Sequence, residues 1–147
     1  MEIISENRKA KFNYFIEDTY TCGIQLFGDE VVSLRNRTCS ISESFCIINN
    51  GECFINNMYI KSPNNIMFRT VDETRQRKLL LHKHEILKLN NKIEKAGYTI
   101  IPLKIIKVKN LYKVVIGLVK GKKLVDKRDT IKKRDIEREL QKSIKQY

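Results

Sequence analysis

The sequence predicts a mainly β fold: a small closed antiparallel barrel with two to three flanking helices and a basic C-terminal tail. Five or more short runs alternate apolar and polar residues, the period of a half-buried strand. Tight-turn dipeptides separate these runs and one helical stretch interrupts them, and closure of such a sheet removes long exposed edges. At 147 residues, 41% of them apolar, the chain is about one domain long and can bury a core without disulfide or metal staples.

The elements follow in order. From Phe12 to Leu26 the residues Phe12, Tyr14 and Ile16, then Tyr20, Cys22, Ile24 and Leu26, alternate with mostly polar ones and predict a strand, with Gly23 as a candidate bulge or bend. Gly28 breaks the pattern. "GDEVVSLRNRT" then sets Val31 and Leu34, and at its limit Thr38, on one side of a short helix that Asp29 could cap. "ESFCIINNGECFINNMYI" predicts two strands joined by Asn50-Gly51, the dipeptide suited to the positive φ angles of a type I′ turn. Lys61 to Asp72, with Pro63, reads as a loop. From Glu73 to Ala96 the positions Leu79, Leu80, Ile86, Leu87, Leu89 and Ile93 suit a helix or helical hairpin that Gly97 ends. "YTIIPLKIIKVK" and "LYKVVIGLV" form a second hairpin, presenting Lys104, Lys107, Lys109 and Lys113 outward, and the β pattern stops at Val119. An OB-fold-like barrel over 1–119 and a tail over 120–147 are the expected units.

Lys and Arg number 29 against 17 Asp and Glu, a net charge of +12. That excess attracts phosphate-rich partners, nucleic acid first; the competing reading is a Lys-rich solvated surface. No apolar run approaches the ~20 residues of a membrane helix, and the start "MEIISENRKA" lacks a signal-peptide core, so a cytoplasmic protein without a membrane partner is expected. Cys22, Cys39, Cys46 and Cys53 have neither zinc spacing nor a histidine nearby, and the Asn50-Gly51 turn sets Cys53 opposite Ile48. Four reduced thiols and no disulfide are expected.

Few enzymatic motifs survive scrutiny. "GLVKGKK" lacks the spacing and the Ser or Thr of a phosphate-binding loop. His82 and His84, two apart on the predicted helix, fall on different faces and do not make a metal pair. Glu17, Asp18 and Glu30 leave open a magnesium-dependent nuclease, but neither a metal nor another cofactor is expected. "ETRQRKLLL" is more informative, because Arg75, Arg77 and Lys78 open the predicted helix against its dipole, and Arg suits bidentate phosphate contact and base stacking. "ENRKAKFNYF" sets Arg8, Lys9 and Lys11 beside aromatics, a composition for backbone contacts with stacking. In the tail, eleven basic residues face five acidic ones, and only Ile136, Leu140 and Ile144 make a narrow apolar stripe. Such a segment orders more readily on a polyanion than alone.

"NRKAKFNYFIED", "GDEVVSLRNRTCSISES", "NNGECFINNMYI", "TRQRKLLL", "GYTIIPLKI", "KNLYKVVIGLVKGKK" and "DKRDTIKKRD" stand in the order and spacing of the SsrA-binding protein family, small protein B, which the chain resembles over essentially its whole length. The resemblance implies an OB-fold-like barrel and a non-enzymatic bacterial adaptor. It would bind the tRNA-like part of transfer-messenger RNA and enter stalled ribosomes, so that the nascent chain is tagged and released. It implies RNA contact by Asn7, Lys9, Glu30, Arg35, Arg75, Arg77, Lys78, Leu80 and Lys113. The tail residues Lys120, Gly121, Lys122, Lys123, Asp126, Lys127 and Arg128 would meet ribosomal RNA in the decoding region and the empty messenger channel. A monomer is expected. Four positions depart from the family pattern: Phe12 replaces a usual His, Thr21 an acidic residue, Val32 a Lys, and Val125 an aromatic or His. Contacts made by those family side chains do not carry over. A general OB-type RNA-binding or ribosome-associated protein is the alternative.

Overall fold

The fold is a computed structural model that describes residues 1–62, 72–94 and 97–122. Residues 63–71 of the loop expected over Lys61 to Asp72, and the tail beyond Lys122, with Lys123, Val125, Asp126, Lys127 and Arg128, lie outside the described residues.

The protein is mainly β, with a few helices. Strands β1 (Glu2–Glu6), β2 (Tyr14–Ile24), β4 (Phe45–Asn49), β5 (Glu52–Asn56), β7 (Arg77–Leu80), β8 (Tyr98–Val108) and β9 (Leu111–Gly121) make one antiparallel sheet in the order β1-β8-β4-β5-β7-β2-β9. β9 also pairs with β8 along its length. β3 (Cys39–Ser40) and β6 (Tyr59–Ile60) form a separate two-stranded pairing. Among the described residues there are three helices, α1 (Ala10–Asn13), α2 (Gly28–Arg35) and α3 (Lys83–Ile93).

Both predicted hairpins form. Asn50 and Gly51 take φ of 50° and 75°, as a type I′ turn demands, and Ile48 faces Cys53. Lys109, at φ 56°, turns β8 into β9. The four cysteines are free.

The long β8 and β9 read as nearly continuous apolar runs because both of their faces are covered. One face joins the main core with Leu34, Ile55, Met58, Leu79 and Leu89, through Ile100, Ile105, Val114, Ile116 and Leu118. The other supports a second, smaller core of Ala10, Ile101 and Val119, backed by Tyr14, Ile16 and Leu103. The β8 register slips between Pro102 and Lys104, and a proline without an N–H is best placed at such a bulge. Asn7 ties down the irregularity. Its backbone N–H donates to the Leu103 carbonyl at 2.8 Å and its side-chain amide to that of Pro102 at 3.2 Å.

Several expectations need correction. Arg77 to Leu80 form β7 rather than the first turn of a helix, and α3 begins only at Lys83. A short apolar run is ambiguous between strand and helix, and the free edges of β2 and β5 settle it by pairing with β7 from both sides. Phe12 belongs to α1, so β2 starts at Tyr14, and β1 was not foreseen. Gly23 is not a bulge, since the β2 register slips between Ile16 and Asp18; at Gly23 the Leu80 side chain packs so close that an added Cβ would lie 3.2 Å from it. Phe27, not Asp29, is the N-cap of α2, and the helix ends before Thr38. β9 runs beyond Val119 to Gly121.

Candidate nucleic-acid interface

Alternation assigns faces to the strands. On β9, Val114 and Ile116 point into the main core, so Lys113 and Val115 face away. On β2, Cys22 points in, so Thr21 and Gly23 face away; on β7, Arg77 and Leu79 point in, so Lys78 and Leu80 face away. Gly23 is paired with both Lys113 and Leu80, which brings these residues side by side on the outer surface. Glycine there lets Leu80 lie flat between two lysine-bearing strands. Lys78 adds a charge beside it, held at 3.1 Å from Glu52.

The ladder continues past β2. Gln25 N–H donates to the Lys78 carbonyl at 3.0 Å, and Ile24 and Leu26 pack on the core, so Gln25 and Phe27 continue the outer face. Phe27 is 48% exposed, and the Arg75 guanidinium lies 4.2 Å from its ring centroid.

Behind this pair sits a buried charge network. Glu30, on the inner side of α2, accepts from Arg75 Nη2 at 2.5 Å and Nε at 3.2 Å, from Arg77 Nε at 2.7 Å, and from the Phe27 N–H at 2.8 Å. Arg77 also donates to the carbonyls of Met58, Arg75 and Glu73. Burial pushes the Glu30 carboxyl up, but the bonds from Arg75, Phe27 and Arg77 together outweigh it and hold the group below the usual carboxylate range. Burial likewise draws the Arg77 guanidinium down against the opposing pull of Glu30. Two guanidinium groups share one carboxylate, which leaves a net positive charge whose outer member is Arg75.

A second group lies around α1. Asn7, Arg8, Lys11, Thr19, Lys104 and Val115 line one groove, and Lys9 lines another with Asn7, Asn13 and Glu43. Thr21 pairs with Val115, and Val115 is two residues from Lys113 on the outer face, so the groove joins the strip of β2, β7 and β9. Lys122 is clasped to α1: its N–H donates to the Asn13 carbonyl at 2.9 Å, its ammonium donates to the Lys11 carbonyl at 2.8 Å, and that ammonium lies 5.0 Å from the Phe15 ring centroid.

The structure thus brings together Lys78, Leu80, Lys113 and Arg75 on one strip, with Asn7 and Lys9 at the adjoining groove. Arg35 is exposed in the last turn of α2, and Lys120 and Gly121 end β9. Glu30 and Arg77 are 4% and 1% exposed, so both act on the surface only through Arg75 and Phe27. Phe27 was missed in the sequence, where it reads as the last residue before a helix-breaking Gly28; only the bond to β7 reveals its face.

The nuclease alternative finds no support in the carboxylates it needs. Glu30 is spent on arginines, Asp18 accepts from the Thr19 N–H and the Tyr20 hydroxyl, and Glu17 lies 3.5 Å from the Lys92 ammonium. Among the described residues no three His, Cys, Asp or Glu side chains gather as a metal site. His82 and His84 do not diverge, as the predicted helix implied; His82 is the N-cap of α3, and the two rings stack with centroids 5.5 Å apart. No helix among the described residues is long and apolar enough to cross a membrane.

Comparison with known proteins places the chain among a coherent set. The family model described as SmpB protein matches residues 4–146. The SsrA-binding protein of Acholeplasma laidlawii is 51% identical over 145 residues, covering 99% of this chain and 97% of that one. Its counterpart in Mycoplasma mycoides subsp. mycoides SC is 49% identical over 146 residues, covering 99% and 97%. A solved structure described as "tmRNA-SmpB: a journey to the center of the bacterial ribosome" matches with a TM-score of 0.67 and 43% identity, over 81% of this chain and 84% of that chain.

Proposed function

The chain belongs to the SmpB protein family, and from that premise we propose that it is an RNA-binding adaptor for the tRNA-like part of transfer-messenger RNA, which it delivers to stalled ribosomes in the cytoplasm. The observation that carries this reading is the outer strip of Arg75, Lys78, Leu80 and Lys113, continuous with the groove of Asn7 and Lys9, in a chain similar over its whole length to proteins named for binding SsrA.

The work is recognition, with no bond made or broken. Lys113, Lys78 and Lys9 neutralise phosphates and release their counterions. Leu80 offers an apolar rest for a sugar or base edge between them. Arg75 adds a permanent positive charge at the surface, its guanidinium held in one orientation by Glu30 and by the Gln76 carbonyl. Of the residues that the resemblance implies as contacts, Glu30 and Arg77 therefore serve by positioning.

The supporting architecture is an OB-fold-like closed barrel. β8 pairs with β9 and, at Cys46 opposite Ile100, with β4, which supports a ring through β4, β5, β7, β2 and β9. A ring of this kind fixes the spacing of the outward lysines. The second unit is the basic tail, whose ribosomal contacts would begin at Lys120, Gly121 and Lys122 and continue through Lys123, Asp126, Lys127 and Arg128. The clasp of Lys122 on α1 sets its starting point beside the RNA-facing groove. Insertion of the tail into the messenger channel requires that no messenger lie there, so the vacancy itself becomes the signal.

Ending the chain after Lys122 separates the two roles. The shortened protein is expected to bind a transcript of the tRNA-like domain as the full chain does, and to lose tagging in a stalled-translation assay. Equal loss of RNA binding overturns the division. RNA degraded on incubation with the protein and magnesium would restore the nuclease alternative.

A further inference from the structure

We propose that the groove between α1 and strands β2, β8 and β9 seats one everted nucleotide of the bound RNA, a guanosine whose base edge is read by Glu6. This rests on the RNA-binding part of the reading above and names what one site on that surface takes.

The groove is a cavity rather than a flat patch. It holds about 390 Å³ of open space, within the ~300–1,000 Å³ range of small-ligand sites. It lies where two ladders slip, β2 against β9 between Ile16 and Asp18 and β8 against β9 between Pro102 and Lys104. Such bulges bend a strand and interrupt its pairing. Ala10, Ile16, Leu103 and Val115 give the groove an apolar lining, and the first three belong to the second core, so this wall is formed before any ligand arrives. Asn7 is equally fixed, by its bonds to the Pro102 and Leu103 carbonyls. A lining of this kind suits the face of a nucleobase. Arg8, Lys11 and Lys104 line the same groove, and among the described residues none of their charged groups is spent on an ion pair or hydrogen bond. An apolar slot edged by cations fits a nucleotide with its base inside and its phosphates at the rim.

Glu6 is the odd member of this lining, because a carboxylate repels phosphate. Its register partner on β8 is Lys104, yet among the described residues the two make no ion pair. An ionised carboxylate can only accept. Guanine alone offers it two adjacent N–H donors, on N1 and N2 of one edge. Adenine and cytosine set an acceptor beside their amino group, and uracil flanks its single N–H with two carbonyls. The carboxylate therefore selects guanine among the bases that an RNA can splay out.

The full chain, labelled at its methyl groups, is titrated with pentanucleotides that carry guanine, adenine, cytosine or uracil between two pairs of uridines. The methyl signals of Ile16, Leu103 and Val115 are followed by NMR. The guanine pentamer is expected to move those signals and to bind about tenfold or more tighter than the other three, the contribution of hydrogen bonds to a charged group. Glu6→Gln keeps the size of the side chain and should remove the preference by weakening the guanine pentamer alone. Thr19→Trp, at an exposed position of the lining, should erase the shifts by filling the groove. Equal binding of the four pentamers, or binding that leaves these signals unmoved, overturns the seat. So does a Glu6→Gln chain that binds all four more tightly and alike, as removal of an idle negative charge would produce. The adaptor reading is tested apart, with a transcript of the tRNA-like domain beside an unstructured RNA of equal length. Equal binding of those two, with the guanine preference kept, overturns the adaptor and upholds the seat as a site on a general RNA-binding protein.

Discussion

Replacing Glu30 by glutamine keeps the size of the side chain and removes the one negative charge between two guanidinium groups. Arg77, its side chain fully buried, is then left without a counter-charge. Breaking a buried pair from one side costs about 3–5 kcal/mol. Arg77 retains its bonds to the carbonyls of Met58, Arg75 and Glu73, which sets the loss at the lower end, about 3 kcal/mol. The contact with the partly exposed Arg75 adds at most about 1 kcal/mol. For a folded unit of this size the expected fall in Tm is about 10–15 °C. Equilibrium urea unfolding, followed by circular dichroism from neutral pH into the acid range, measures it. Because the folded-state pKa of Glu30 lies below its ordinary value, its contribution is full above the unfolded-state pKa and fades as pH falls through the folded one. The wild-type and Glu30→Gln curves therefore converge in acid. A variant within about 0.5 kcal/mol of wild type at neutral pH, or two curves that stay parallel into acid, would refute the assignment of Glu30 as the keystone of this network.

Lys113→Ala is expected to weaken binding of the tRNA-like transcript and to lower the salt slope by about one, without changing Tm by more than a degree or two, since the side chain lies on the outer face; an unchanged slope removes Lys113 from the contact set. Gly117→Ala sets a Cβ 2.9 Å from Leu103 Cδ1, an overpacking that costs about 1–3 kcal/mol, and shortening the neighbour in Leu103→Ala should recover part of it in a double-mutant cycle. In the native chain the half-buried Cys39 should react with a thiol reagent before the three buried cysteines, because its sulfur is the accessible one and, although burial pushes its thiol up too, Arg37 opposes that rise. Mass mapping of the modified cysteines would expose an error if Cys22 or Cys46 reacted first.

Much of the fold was legible because its signals are local. Asn50-Gly51 encodes its turn in two residues, and the alternation of β2 and the apolar runs of β4, β5, β8 and β9 are properties of each run alone. β1, β3 and β6 escaped because two to five residues of mixed polarity carry no period. β7 was misread for a related reason: Leu79 and Leu80 satisfy a helical pattern as well as a strand, and only the open edges of β2 and β5 decide between them.

The sequence by itself determined the mainly β class, the two hairpins, the basic character and, through motifs spread along the chain, the family. It also supplied the residue types of the interface. The tertiary structure alone decided which of them reach the surface. Arg77 and Lys78 are neighbours in sequence with the same charge, yet one is sealed against Glu30 and the other faces outward, because consecutive residues of a strand point to opposite sides and only long-range pairing says which side is core. The same pairing carries Phe27 onto the outer face beside Arg75, 48 positions away in the chain, a juxtaposition that no local pattern encodes.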